Sequence, residues 1–192
     1  MQPKFETRED WLLQMSQEIA PLFAIEGVPL PSFRVTCGFP CTGATRSKGR
    51  NMRLGECHAA SSSKDAHCEI FIHPELDDPI KVVEVLAHEL VHAAVGVAAG
   101  HGQSFKRVAT AIGLTGPMRS TTGTPSFHSM IKPWISACGP YPHASLTVLT
   151  HKKQGTRLLK AVCDCGYTVR LTAKWAALGL PTCVCGNELN LA

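Results

Sequence analysis

The apolar positions of the first third of the chain fall into a helical pattern followed by strand patterns. Apolar residues recur every three or four positions from Trp11 to Leu22, behind Thr7, a residue type that commonly caps helices. Residues 33–39 (FRVTCGF) and 68–74 (CEIFIHP) are short apolar runs, and the second alternates and ends in proline. These patterns predict one amphipathic helix and two strands.

A long apolar stretch follows, with helix signals at its start. Asp78 and Pro79 are a capping residue and a proline suited to the first helical position. Residues 80–99 (IKVVEVLAHELVHAAVGVAA) are apolar enough for a central helix, which we expect to end at Gly100. Apolar residues at helical spacing over 105–112 predict a third helix.

The rest of the chain divides into two parts of different composition. Residues 115–145 are rich in Pro, Gly, Ser and Thr, so we predict an irregular segment that wraps the first domain. A cysteine-containing module with a strand around Val169 follows. We therefore predict an α+β protein with one domain over 1–150 and a small module over 151–192.

The central helix carries the sequence HELVH, in which His88 and His92 are four residues apart. On a helix both imidazoles project from one face, with Glu89 beside them. This is the H-E-x-x-H pattern, two zinc ligands and a general base. Unpartnered histidines and a carboxylate would be costly in such an apolar stretch, which favours a metal site over satisfied core histidines.

A catalytic zinc needs a third protein ligand. Ala98 stands where a metzincin would have its histidine, and no Asp or Glu lies between Glu89 and Asp164. His101 is the preferred ligand because it lies between two glycines, where the chain can turn back over the metal. The other downstream possibilities, led by His128, are Cys138, His143 and His151.

Two C-x-C-G pairs end the chain, separated by 17 residues. The gap fits a zinc ribbon, although each pair is one residue shorter than the usual C-x₂-C. Trp175, Leu178 and Leu180 are predicted to supply a small core. We predict one structural Zn²⁺ held by four thiolates: Cys163, Cys165, Cys183 and Cys185.

The remaining cysteines suggest no further site from their spacing. The odd total of nine cysteines does not suit a disulfide framework, and metal-bound or free thiols fit a reducing cytoplasm. We interpret the four earliest ones as buried structural thiols rather than metal ligands: Cys37, Cys41, Cys57 and Cys68.

HELVH followed by GHGQSF, with the strand EIFIHPEL before it and the cysteine module behind it, resembles the SprT-like (Spartan-related) zinc metalloproteases. The resemblance covers most of 30–115 and, more loosely, 160–187. It implies a minimal zincin-type domain, with helices packed on a small, mostly antiparallel sheet, followed by a zinc ribbon. It also implies His88, His92 and His101 as ligands of a catalytic Zn²⁺, and Glu89 as the catalytic acid/base.

The sequence offers several candidates for binding the substrate and stabilising the oxyanion. The strand Cys68–His73 is a possible pairing partner for an extended substrate. Tyr141, His128 and Arg119 are possible oxyanion donors, and nothing in the sequence separates them.

Charge is distributed unevenly: residues 1–89 carry a net −4 and residues 90–192 a net +8. A basic half suggests a polyanionic partner. The family resemblance implies action on DNA-bound or DNA-crosslinked proteins, so we expect protein substrates and single-stranded or crosslink-bearing DNA as partners. Trp175 and Tyr167 are candidates for stacking on bases. The candidate DNA contacts are Arg46, Lys48, Arg50, Arg53, Lys152, Lys153, Arg157, Lys160 and Arg170.

Two other functions fit the same residues. One is a DNA-independent metallopeptidase that uses the ribbon as a substrate clamp. The other is a non-catalytic DNA-binding adaptor that keeps zinc for stability, although an intact Glu89 disfavours it. No apolar run is long enough for a membrane span, so we expect a cytoplasmic protein with two zinc ions per chain.

Overall fold

The computed structural model describes residues 4–41, 43, 52–147 and 158–192. The chain divides into two compact units, Met1–Leu149 and Thr150–Ala192, which we describe separately. Helices and small sheets are mixed, which confirms the α+β class.

The first unit contains four α-helices and five strands among the described residues. In chain order they are α1 (Arg8–Ile25), β1 (Phe33–Cys37), β2 (Gly55–His58), β3 (Cys68–Ile72), α2 (Pro79–Val95), α3 (Gln103–Ala111), β4 (Leu114–Thr115), β5 (Thr122–Gly123) and α4 (Pro125–Cys138). Its core lies between α1, the sheet and α2 and is built from aliphatic and aromatic side chains.

Helix α1 begins where its sequence predicts. Thr7 Oγ1 accepts a hydrogen bond from the backbone N–H of Asp10 at 3.1 Å, so the first turn is capped. Trp11, Met15 and Ile19, spaced four residues apart, are fully buried. The helix thus anchors one side of the core.

Helix α2 also begins as predicted, but it ends four residues early. Asp78 Oδ1 accepts a hydrogen bond from the backbone N–H of Lys81 at 2.8 Å. The helix stops at Val95 because Gly96 takes φ +84°, so the expected continuation to Ala99 is wrong. A short 3₁₀ turn, Val97–Ala99, replaces it and leads the chain back towards α2.

The main sheet has the order β1-β3-β2, with β3 in the middle. β2 pairs antiparallel to β3, but β1 pairs parallel to it. The prediction of a mostly antiparallel sheet is therefore wrong for this sheet. The 30 residues between Cys37 and Cys68 are long enough for the crossover that parallel pairing needs. This arrangement leaves β2 at the edge of the sheet.

Helix α4 lies in a segment that we predicted to be irregular. Thr124 Oγ1 accepts from the backbone N–H of Phe127 at 3.2 Å, and Pro125 occupies the first turn. Phe127 and Ile131, four residues apart, are buried against the core. The prolines that obscured this helix, Pro125 and Pro133, are tolerated at its start and on its exposed side.

The second unit is a small three-stranded antiparallel sheet of order β7-β6-β8, with one short helix. The elements are β6 (Leu158–Val162), β7 (Thr168–Thr172), α5 (Ala173–Ala176) and β8 (Asn190–Leu191). Of the predicted core residues Leu180 is partly buried, but Trp175 and Leu178 are 58% and 76% exposed. The expectation that these two fill the core is wrong, because two cysteines occupy it.

No helix in the described part of the chain is both long enough and apolar enough to cross a membrane.

Candidate metal centres and the groove

Three imidazoles from two segments of the first unit converge. His88 and His92 project from α2 one turn apart, and His101 follows the 3₁₀ turn. The Nε2 atoms of His88 and His92 each lie 3.2 Å from Nε2 of His101. The ring of Phe105 on α3 packs against all three, with centroid distances of 4.5 to 5.0 Å.

This cluster fits a metal ion. Ligand nitrogens about 2.0–2.1 Å from a tetrahedral zinc lie about 3.3 Å apart, close to the separations found. Burial, together with the neighbouring histidines, lowers the pKa of His88 to about 3 and that of His92 to about 4. Burial also lowers the pKa of His101, with help from Arg119 and Arg53. The rings are thus neutral, the form that binds metal.

The ring of His88 is oriented by a residue that sequence reasoning missed. Its Nδ1 lies 2.8 Å from Thr121 Oγ1, an arrangement that leaves Nε2 for the cluster. Nδ1 of His92 has no hydrogen-bond partner among the described residues, so packing against Phe105 holds that ring. No motif links Thr121 to His88, because 33 residues separate them.

Glu84, one turn before His88, holds the segment that carries Thr121. Its carboxylate accepts from the backbone N–H of Gly123 at 2.6 Å and lies 2.8 Å from Lys81 Nζ and from His128 Nε2. His128, the alternative third ligand, is thus bound to Glu84 and lies outside the cluster of histidines. A glutamate on an apolar helix was the signal in the sequence that could have indicated this network.

Glu89 is 5% exposed and lies beside the cluster. Burial raises its pKa to about 8; nearby Arg53 opposes this and Glu56 adds to it. A divalent cation at the histidines would lower that pKa and favour the carboxylate. Gly55 on β2 packs directly against it, since a Cβ there would lie 2.6 Å from Glu89 Oε1.

Two cavities of about 590 and 470 Å³ open on either side of these residues. They share five lining residues and so form one groove across the cluster: Arg53, Gly55, Glu89, His101 and Arg119. Edge strand β2 lines this groove. The proposed pairing of substrate with Cys68–His73 is wrong, because β3 is already paired on both sides.

The three possible oxyanion donors lie in different places. Arg119 lines both cavities. Tyr141 is buried in the core, with its ring centroid 5.0 Å from that of Trp11. Because His128 is engaged by Glu84, only Arg119 of the three is placed beside the histidines.

The four cysteines of the second unit also converge. Sγ of Cys163 lies 3.5 Å from that of Cys185, and Sγ of Cys165 lies 3.4 Å from that of Cys183. These separations are far longer than a disulfide, and all four sulfurs are within 4.8 Å of one another. Four thiolates in this arrangement suit one tetrahedral metal ion.

The two shortened knuckles adopt the same turn. In each, the first cysteine N–H donates to the backbone oxygen four residues on, and the glycine N–H donates back to the first cysteine. Gly166 and Gly186 have φ +89° and +87°, which explains the glycine after each pair. C-x-C therefore suffices where C-x₂-C is usual.

The predicted DNA contacts are only partly within the described structure. Six lie outside it: Arg46, Lys48, Arg50, Lys152, Lys153 and Arg157. Arg53 lines the groove and pairs with Glu56. Lys160 and Arg170 are exposed cross-strand partners on β6 and β7.

Residues 35–125 match the model of the SprT-like family, which confirms the resemblance and indicates a metallopeptidase-type activity. The match spans most of the main sheet, α2 and His101, but not the cysteines of the second unit. Neither the curated proteins nor the solved structures give a match to the chain.

Proposed function

Since residues 35–125 match the model of the SprT-like family, we propose that the chain is a zinc-dependent metalloendopeptidase of minimal zincin type. The observation that carries the proposal is the convergence of three imidazoles beside a buried glutamate, in a groove bordered by a free strand edge. A purely structural metal site would be closed, whereas this one opens on the groove from two sides.

His88, His92 and His101 would hold the catalytic Zn²⁺. When bound, zinc polarises the scissile carbonyl and brings the pKa of its water towards about 7. The carboxylate of Glu89 accepts a proton from the attacking water and delivers it to the leaving amine. Thr121 keeps the ring of His88 in the tautomer that leaves Nε2 free.

Substrate would bind in extended form along β2. The outer edge of β2 has no strand partner among the described residues, so its backbone groups are free to pair with a peptide. Arg119, at the meeting point of both cavities, is placed to donate to the developing oxyanion.

We propose that the second unit is a zinc ribbon that carries one structural Zn²⁺. With the catalytic ion, the proposed function requires two zinc ions per chain. Its exposed face supports DNA binding. Lys160 and Arg170 lie side by side, and Trp175 is largely exposed with Lys174 Nζ 5.3 Å from its ring centroid. Basic side chains among exposed aromatics suit single-stranded nucleic acid.

We therefore propose that the substrates are DNA-bound or DNA-crosslinked proteins and that the activity is cytoplasmic. The test is cleavage of a basic DNA-binding protein by the zinc-loaded chain, with and without single-stranded DNA, using Glu89→Gln as control. Cleavage that DNA accelerates is expected. Cleavage indifferent to DNA would favour the DNA-independent peptidase, and DNA binding without cleavage would favour the adaptor.

A further inference from the structure

A third group of metal-binding side chains shares no residue with the two described above, although Glu56 and His58 line the same groove as the histidine cluster. Cys41, which follows β1, meets Glu56 and His58 on the edge strand β2. Sγ of Cys41 lies 3.5 Å from His58 Nε2, and Glu56 Oε2 lies 3.3 Å from the same Nε2. Glu56 and His58 alternate with buried Gly55 and Cys57, so they share the face of β2 turned away from α2.

The distances are those of ligands around one zinc ion. With Zn–S of about 2.3 Å and Zn–N or Zn–O of about 2.0–2.1 Å, tetrahedral geometry places sulfur and nitrogen about 3.5 Å apart, and nitrogen and oxygen about 3.3 Å apart. The observed separations match both values. A thiolate, an imidazole and a carboxylate also form a donor set that zinc accepts.

The same geometry disfavours a nucleophilic triad. In such a triad the carboxylate orients the histidine through one ring nitrogen while the other faces the thiol. Here Sγ of Cys41 and Oε2 of Glu56 both approach Nε2 of His58. This arrangement does not use both ring nitrogens of the histidine, as a triad would. Three donor atoms directed at one point instead suit a shared cation.

The surrounding contacts hold the three side chains in place and leave their donor atoms available for a metal ion. Arg53 pairs with Oε1 of Glu56, and the backbone N–H of Cys41 donates to Oε2 at 2.6 Å, which leaves that oxygen a second lone pair. The ring of His58 packs edge-on against Phe71, with centroids 5.7 Å apart. The open side, where Cys41 is exposed, can admit a water as fourth ligand.

We propose that Cys41, Glu56 and His58 form a third metal site that binds Zn²⁺ or a similar thiophilic divalent cation. Bound metal would tie the end of β1 to the edge strand that lines the groove. It would also fix both ends of the basic segment between them, where Arg53 N–H already donates to Gly43 O at 2.9 Å. The site uses none of the three histidines of the cluster and does not depend on proteolysis.

Zinc binding by the full chain tests the site directly. We expect equilibrium dialysis against buffered free Zn²⁺ to give one more equivalent for the wild type than for Cys41→Ser or His58→Gln. Cys37→Ser, which removes a half-buried thiol close by in sequence, is the matched control and keeps the wild-type stoichiometry. Equal stoichiometry for wild type and both variants at every free Zn²⁺ concentration up to about 10 μM would overturn the proposal.

A residue-specific measurement separates loss of the site from misfolding. Mass spectrometry follows maleimide labelling of the Cys41 peptide with and without Zn²⁺. We expect Zn²⁺ to slow labelling at least ten-fold in the wild type and not in His58→Gln, because zinc-bound thiolate is shielded. Labelling of Cys41 at the same rate with and without Zn²⁺ in the wild type would refute the assignment, whatever the chain's proteolytic activity.

Discussion

The histidine cluster and the cysteine cluster differ in the size of the hydrophobic core that surrounds them. Around His88 and His92 the first unit buries a continuous apolar core, with Leu86, Ala87 and Leu90 fully buried on the same helix. The second unit buries four residues in its core, and two of them are Cys163 and Cys183. The first unit is a scaffold that presents metal ligands; in the second, the ligands are half of the core itself.

This difference implies different consequences of losing the metal. A unit with its own core keeps its fold when its metal is removed, whereas a unit of about 40 residues with so small a core has little besides the metal to hold it together. The two candidate metal sites, one of imidazoles and one of thiolates, thus have opposite relations to folding.

The largest effect is expected from Cys183→Ser. Structural zinc contributes on the order of 10 kcal/mol of binding free energy to folding, so loss of a buried ligand should unfold the second unit alone. Amide NMR signals of residues 158–192 should collapse to random-coil positions, while those of the first unit stay dispersed.

Cys138→Ser provides a matched control, since Cys138 is buried in the first unit and belongs to none of the three candidate metal sites among the described residues. It should leave the second unit folded. Dispersed signals from residues 158–192 in Cys183→Ser would show that the cysteines are not the basis of that fold.

A smaller effect is expected from Thr121→Val at the histidine cluster. Valine removes the hydroxyl that orients His88 but retains the shape of the side chain. Removing such an orienting hydrogen bond weakens metal affinity about 10–100-fold. Competition with a zinc chelator measures this, and Thr121→Ser, which retains the hydroxyl, should stay within about three-fold of the wild type. Equal affinities for the valine and serine variants would contradict the role of Thr121.

Without metal, the first unit should show a stability maximum near pH 6.5. Glu89, with its pKa raised to about 8, holds a proton in the folded chain that the unfolded chain releases, so stability rises as pH falls from 8 to 6.5. Below pH 6.5, His88 and His92 become protonated in the unfolded chain, whereas in the folded chain they stay neutral down to about pH 4. Their combined effect on stability is larger than that of Glu89, so stability falls as the pH falls further.

Urea unfolding of the chelator-treated chain, followed by circular dichroism at pH 5.5, 6.5 and 8, measures this dependence. Glu89→Gln should abolish the rise between pH 8 and 6.5 and keep the fall below it. A stability that increases steadily from pH 5.5 to 8 would mean that Glu89 is already ionised in the folded chain, and one that decreases steadily would mean that the histidines do not stay neutral there.

The smallest effect is expected at the exposed face of the second unit. Each basic side chain that binds a phosphate of single-stranded DNA adds about 0.7 to the slope of log affinity against log salt, so Lys160→Glu with Arg170→Glu should lower that slope by about 1.4. Fluorescence anisotropy at several salt concentrations measures it. Lys132→Glu, on the exposed side of α4, is the control with an unchanged slope, and an unchanged slope in the double variant would exclude this face as a DNA-binding surface.

The parts of the fold that the sequence predicts well are those with local causes. The caps at Thr7 and Asp78 and the spacing of HELVH act within one or two turns, so the beginnings of α1 and α2 and the shared face of His88 and His92 are readable directly. The turn at His101 is readable for the same reason, since glycines flank it.

The errors have causes that are not local. Glycine disfavours a helix only mildly, so Gly96 does not by itself predict the end of α2. Its φ of +84° in the folded chain shows that the helix ends there. The strand order that places β2 at the edge depends on pairing between residues far apart. Likewise, Cys41 gains its partners Glu56 and His58 across 15 and 17 residues, so a search limited to cysteine spacing could not find them.

In the proposed mechanism, Glu89 performs proton transfer at a metal held by three histidines. The most direct test of this claim is the cleavage rate of one protein substrate by wild type and Glu89→Gln, each with measured zinc content. General acid–base catalysis predicts a loss of about 10²–10⁴-fold in kcat at equal zinc content. Equal rates at equal zinc content would contradict the claim, because the histidines and their metal would then act without Glu89.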